Sequence, residues 1–156
     1  MRGACSGGGR DFVAFAALLG ACTQYAFDRI WVVPYAASAT EVIVTDEFKG
    51  WYENPTEDHQ AAVIRVVELL EARGVNFGFP YTSEIKGSKH ALRELRVKAG
   101  RSQIRIGYAF DPKRQAVLLI AGDKTGDDRF YEWFVPQAEK VWLQYLDEQK
   151  QEGGGP

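Results

Sequence analysis

The sequence predicts an α+β domain, in which a small antiparallel or mixed sheet carries an N-terminal helical hairpin on it and a C-terminal helix. Three observations predict it. Between Leu92 and Gly126 three strand-like runs follow one another across short turns, which favours an antiparallel meander. Ahead of them lie two apolar stripes at helical spacing, separated by Asn54-Pro55. Behind them a third helical stripe begins at Phe130.

Glu41–Val44 reads as a short strand that can pair with the meander. Thr45 is a good N-cap, and Asp46 and Glu47 place acid in the first turn of a helix running to about Glu53. Phe48, Trp51 and Tyr52 share one face of it. A second helix start follows, with Asn54 as cap, Pro55 in the first helical position and Glu57 completing a capping-box pattern. Val63, Val66, Val67 and Leu70 repeat on one face, and Gly74 fits the position just past the helix end. His59 falls in the first turn, in a solvated position. Phe77–Lys89 reads as a loop.

The meander strands are predicted over Leu92–Val97, Gln103–Phe110 and Val117–Gly122. The second alternates Ile104, Ile106, Tyr108 and Phe110, and the third is an unbroken apolar run suited to burial on both faces. A polar loop, Asp123–Asp128, follows, and Asp127 or Asp128 can cap the last helix. Phe130, Trp133 and Phe134 lie on one face of it; Pro136 is expected to kink or restart it, and Ala138–Glu148 continues it through Val141, Trp142, Tyr145 and Leu146.

The 156 residues suit one folded domain over residues 41–149, preceded by an extension over 1–40 and followed by a frayed tail over 150–156. The extension holds a Gly7-Gly8-Gly9 run and the apolar segment Phe12–Cys22. A poorly ordered appendage, a loose imitation of a secretory signal and a structural helix all fit it. Both cysteines, Cys5 and Cys22, lie there, so the main domain holds no disulfide framework or cysteine zinc site. His59 and His90 are the only histidines and have no metal-ligand spacing; no metal and no cofactor is expected. No apolar run reaches the length of a membrane span.

Charge singles out one stretch. From Ile85 to Arg105 seven bases (Lys86, Lys89, Arg93, Arg96, Lys98, Arg101 and Arg105) face one acid, Glu94, a local balance of +6 in a chain of net charge −2. Several of these bases lie within strands, so a sheet surface is basic, and an acid-poor patch of this kind favours phosphate contact.

The segments LRELR (Leu92–Arg96), IRIGYAF (Ile104–Phe110) and LLIAGDKT (Leu118–Thr125) occur in this order within the strand, helix, helix, three-strand, helix series. This resembles the RelE superfamily of bacterial toxins, specifically the HigB-like, phage Gp49-related branch, over about Val42–Leu146. The resemblance implies a cytoplasmic toxin of a type II toxin–antitoxin module, with a cognate antitoxin of helix-turn-helix type as partner. It implies a metal-independent endoribonuclease that cuts mRNA, with the translating ribosome as the setting. A sister group shares the fold and poisons DNA gyrase, and a catalytically silent RNA-binding domain is a third reading.

Carried over by motif, Arg96 and Arg105 on the first two meander strands, Lys124 after the last strand and Tyr131 on the final helix are the catalytic candidates. Arg grips phosphate bidentately and stabilises developing phosphorane charge. Arg105 and Lys124 are expected to face solvent. Lys86, Lys89, His90, Arg93, Lys98, Arg101 and Arg129 are the RNA-binding candidates; His90 is also the one histidine near this surface that can exchange a proton. One departure stands out: many RelE-type members carry an Arg directly after the Lys, where this chain has Thr125, and Arg129 is one turn along.

Overall fold

The computed structural model describes residues 39–154, and the extension assigned to 1–40 therefore lies almost wholly outside the described residues. The elements are β1 (Val42–Val44), α1 (Asp46–Tyr52), α2 (Glu57–Arg73), a 3-10 turn (Gly74–Asn76), β2 (Thr82–Glu84), β3 (Arg93–Ala99), β4 (Ser102–Phe110), β5 (Ala116–Asp123) and α3 (Phe130–Gly153). The five strands form one mixed sheet in the order β1-β5-β4-β3-β2. β1 runs parallel to β5, and all other neighbours are antiparallel.

The sheet is covered on both sides by different helices. Leu95, Val97, Ile104, Ile106, Tyr108 and Leu118 point to one face and pack with Phe48, Val63, Val66, Val67 and Leu70 of the hairpin. Trp51 and Tyr52 ring Phe48 at 6.1 and 6.0 Å between centroids. Each fully buried Val or Leu of that stripe contributes about 1.5–3 kcal/mol, so the stripe holds the hairpin down. Ile43, Ala109, Val117, Leu119 and Ile120 point to the other face and pack with Phe130, Phe134, Ala138, Val141, Trp142 and Tyr145 of α3.

Two glycines let α3 lie close. A Cβ on Gly122 would stand 2.9 Å from Trp133 and 3.0 Å from Phe130; one on Gly107 would stand 3.3 Å from Phe134. Arg105 pairs in register with Gly122 and sits two residues before Gly107, so the start of α3 is fixed beside Arg105.

Several local details differ from the sequence expectation. Thr56, not Asn54, caps α2, accepting from His59 N at 3.5 Å, so Glu57 opens the helix and no capping box forms. Asn54 instead closes α1, donating from Nδ2 to Gly50 O at 2.6 Å. The loop expected over Phe77–Lys89 contains β2, a three-residue edge strand too short and polar to show an alternation. α3 passes through Pro136 without a break; Pro136 and Glu132 are both exposed, so the carbonyl freed by the missing N–H faces water. The same helix continues through 150–153, which the sequence reading left to a frayed tail. Neither Asp127 nor Asp128 caps α3: the cap position is Arg129, with no side-chain capping bond, and Asp127 Oδ1 accepts from Arg129 N at 3.0 Å in the turn ahead of the helix. No helix of the described residues is long and apolar enough to cross a membrane.

Candidate functional site

Strand alternation builds the site. Leu95 and Val97 face the hairpin, so Glu94, Arg96 and Lys98 face the α3 side. On β4, Arg105 lies between the hairpin-facing Ile104 and Ile106, and it stands directly across from Arg96. Arg96 N donates to Tyr81 O at 2.7 Å, on the β2 side. The Arg96–Arg105 pair is therefore of the non-hydrogen-bonded kind, in which side chains approach more closely. Two like charges so placed repel. Glu94 relieves that repulsion from two residues away on the same face.

Glu94 is the hub. It is 3% exposed, the one buried acid of β3. Its Oε1 accepts from Arg96 Nε at 3.1 Å and from Ser83 Oγ at 3.1 Å, and it stands 3.8 Å from Arg105 Nε. Its Oε2 accepts from the Tyr131 hydroxyl at 2.8 Å. Arg105 Nη1 donates to Ile104 O at 3.1 Å, while its Nε, shielded from solvent, has no hydrogen-bond partner. The Lys124 ammonium lies 4.8 Å from the centroid of the Tyr131 ring, within cation–π range. Burial, then the hydrogen bond and charge of Glu94, push the Tyr131 phenol above the ordinary tyrosine range; Arg105 alongside pulls the other way and loses.

Above this hub opens a cleft of about 450 Å³, lined by Ser83, Ile85, Lys86, Glu94, Arg96, Lys124 and Tyr131, with Glu84 at its rim. A second groove of about 640 Å³ begins at Arg96 and Arg105 and runs between α2 and the edge of β3, past Arg65, Leu69, Tyr81 and Lys98. Arg96, Lys86 and Lys124 outnumber Glu94 and Glu84 along the cleft, and Arg105 stands behind Glu94 and opens on the second groove, so the cleft is cationic and suited to holding a phosphate between fixed donors. No group of three or more His, Cys, Asp or Glu side chains suited to a metal ion occurs among the described residues.

All four catalytic candidates, Arg96, Arg105, Lys124 and Tyr131, thus meet around one carboxylate. Arg105 differs from expectation in one respect: its side chain is 12% exposed, because α3 and Glu94 close over it. Of the RNA-binding candidates, Lys86 lines the cleft and Lys98 lies one strand step beyond Arg96 on the same face. Arg101 sits exposed at the β3–β4 turn, and Arg129 is exposed just ahead of α3. The others are elsewhere. Arg93 points to the hairpin side, where its Nε donates to Tyr108 Oη at 3.3 Å. Lys89 and His90 belong to a loop pinned to α3: Glu139 Oε1 accepts from Lys89 N at 2.6 Å and from Ser88 Oγ at 2.9 Å. Those two bonds hold the Glu139 carboxyl below its ordinary range.

Thr125 has a local task of its own. Its Oγ1 donates to Asp123 Oδ1 at 2.5 Å and accepts from Gln103 N at 2.8 Å, tying the end of β5 to the start of β4 beside Lys124. Burial works against the Asp123 carboxylate, but hydrogen bonds from Thr125, Ser102 and Gln103 outweigh it and hold the group below its ordinary range.

Glu94 is the residue that sequence reasoning missed. It entered only as the lone acid in a basic stretch. The signal was present: it lies two residues from Arg96, on the face that alternation assigns to the basic side chains.

Fold and cleft together define a class, a one-sheet α+β domain whose last helix presses a tyrosine onto a cationic cleft. The chain belongs to the family described as Phage derived protein Gp49-like (DUF891), whose model matches residues 51–142. It is 38% identical over 116 residues to a Mycobacterium tuberculosis protein named "Putative toxin HigB3", covering 73% of this chain and 98% of that one. It is 33% identical over 106 residues to "Putative toxin HigB2" of the same organism, covering 65% of this chain. The chain spans only about half of HigB2, 52% of its length. No solved structure matches the chain.

Proposed function

We propose that this protein is the toxin of a type II toxin–antitoxin module, a metal-independent endoribonuclease of RelE type that cuts mRNA in the cytoplasm on the translating ribosome. The observation that carries the reading is that Arg96, Lys124 and Tyr131 line one cleft over Glu94, with Arg105 beside the same carboxylate at the head of the adjoining groove. The names of the relatives support the toxin part of it.

Cleavage of RNA without a metal aligns a 2′-OH with the neighbouring phosphate, stabilises the phosphorane charge, and moves protons off the nucleophile and onto the departing 5′ oxygen. Arg96 and Arg105 stand side by side, and the Arg105 guanidinium, anchored through its buried Nε beside Glu94 and through Nη1 on Ile104 O, is held in a fixed orientation. Both grip the equatorial phosphate oxygens. The Lys124 ammonium stands at the Tyr131 ring and serves the leaving oxygen. The Tyr131 ring, half-buried at the cleft wall, orients the nucleotide.

The partner is a cognate antitoxin of helix-turn-helix type that covers the cleft or moves α3. Induced expression is the direct test. Growth and protein synthesis should stop, and co-expression of the antitoxin from the adjacent gene should restore both. Unchanged growth under strong induction contradicts the toxin reading; arrest with gyrase-dependent DNA breaks and intact mRNA assigns the arrest to DNA gyrase instead.

A further inference from the structure

The RNA-cleavage reading leaves one proton without an acceptor. Something must take the proton of the attacking 2′-OH, and guanidinium and ammonium groups have no lone pair to offer. His90 is held away at the Glu139 loop. Glu84, the other carboxylate at the rim, pairs in register with Arg93 and alternates with Ser83, which places its side chain on the hairpin face. Glu94 remains, at the floor of the cleft, but it is 3% exposed and its two oxygens are taken by Arg96, Ser83 and Tyr131.

We propose that Glu94 acts on the substrate through Tyr131, as the terminal acceptor of a two-member proton relay; the proposal rests on the RNA-cleavage reading. Tyr131 is half-buried, lines the cleft, and gives its single hydroxyl proton to Glu94 Oε2 at 2.8 Å. Arg105 alongside interacts with that oxygen, which keeps a further lone pair to accept a bond from the cleft. Oε1 is held by Arg96 and Ser83, so Oε2 is the oxygen aimed at the phenol. The charged groups facing the pair are Arg96 from β3, Arg105 from β4, Lys124 after β5, and Lys86 on the cleft wall. The phenol rests protonated in this setting, ready to pass a proton on rather than to ionise.

The step balances. The 2′ oxygen forms a bond to the adjacent phosphorus as its proton moves to Tyr131 Oη. The proton of Tyr131 moves at the same time to Glu94 Oε2. The bond from phosphorus to the 5′ oxygen breaks, and that oxygen takes a proton from the Lys124 ammonium. The products are a 2′,3′-cyclic phosphate and a 5′-hydroxyl end. Return of the proton from Glu94 through Tyr131 to solvent, and reprotonation of Lys124, reset the site. Glu94 is thus a positioning residue that also stores the proton, and Tyr131 is the catalytic residue.

Glu94→Gln tests this, because it keeps the length of the side chain and an oxygen to accept from Tyr131 but has no basic carboxylate. With mRNA bound on ribosomes, single-turnover cleavage should fall about 10²–10⁴-fold, the usual weight of a general base. RNA affinity should not fall, since the variant removes a negative charge from a cationic cleft. Rates in mixtures of H₂O and D₂O should give a curved proton inventory for the wild type and a visibly less curved one for Glu94→Gln, which has lost the relay proton, a difference that a purely structural role does not produce. Tyr131→Phe should show the same loss, and combining it with Glu94→Gln should add little, which keeps the test valid where one variant folds poorly. Ultraviolet titration, read as the difference from Tyr131→Phe, should show Tyr131 ionising at lower pH in Glu94→Gln than in the wild type. A Glu94→Gln protein at full rate, or a linear inventory in the active wild type, overturns the relay alone. A folded wild type that cuts no RNA overturns the cleavage reading and the relay with it, while the titration still reports whether the two side chains touch.

Discussion

Arg105 keeps 12% of its side chain open and Arg96 keeps 39%, and that difference separates the consequences of removing them. Arg105→Ala should lower cleavage by about two to three orders of magnitude, the usual scale for one preorganised charge-stabilising group. It should also lower stability by about 1–3 kcal/mol, because Glu94 loses a buried counter-charge. Lys124→Ala should lower cleavage on the same scale while leaving the melting temperature near that of the wild type, since the ammonium lies beyond the buried run of β5. Cleavage assays and thermal melts on the two variants check both statements. Thr125 and Asp123 give a pH prediction. The folded carboxyl is depressed, so its contribution to stability is fully present above the unfolded carboxylate range and is lost as pH falls through the folded value. Thr125→Val removes the hydroxyl bond, the largest of those responsible, and leaves the backbone ones in place. The variant should be less stable than the wild type at neutral pH, and the two stabilities should converge on acidification, as denaturant titrations across that range would show.

The first two turns of α3 carry the site's tyrosine, and Gly122 and Gly107 set how closely they approach the sheet. Gly122→Ala should force Trp133 and Phe130 outward and cost about 1–3 kcal/mol. Tyr131 should move with them, so cleavage should drop although no charged group has changed; a variant with wild-type activity would show that α3 does not need this seat. The sequence made the long elements legible. Alternation announced β4, an unbroken apolar run announced β5, and the stripes Val63–Leu70 and Val141–Tyr145 announced the faces of two helices. It failed where pattern gives way to context. β2 has three residues and takes its shape from pairing with β3, and the cap of α2 falls on Thr56 because Asn54 is used by the preceding helix.

At the level of the whole molecule, the basic stretch divides between the two faces and the ends of the sheet. The sequence identified the charge, and the motif resemblance picked out Arg96, Arg105, Lys124 and Tyr131. Only the register shows that Arg93 leaves the cluster for Tyr108 and that Glu94 stands at its centre. A lone acid among seven bases reads as a minor correction to a charge count until its neighbours in space are known. The central claim is that this cleft cuts mRNA with its own side chains. The most direct measurement is primer-extension mapping of an mRNA bound on intact ribosomes, during a brief EDTA exposure with ribosome integrity checked, for the wild type, Arg105→Ala and Lys124→Ala. The account predicts new 5′ ends within ribosome-occupied codons for the wild type, weaker by about two to three orders of magnitude for each variant. Cuts of equal strength from all three proteins, or no cuts from the wild type, would contradict it.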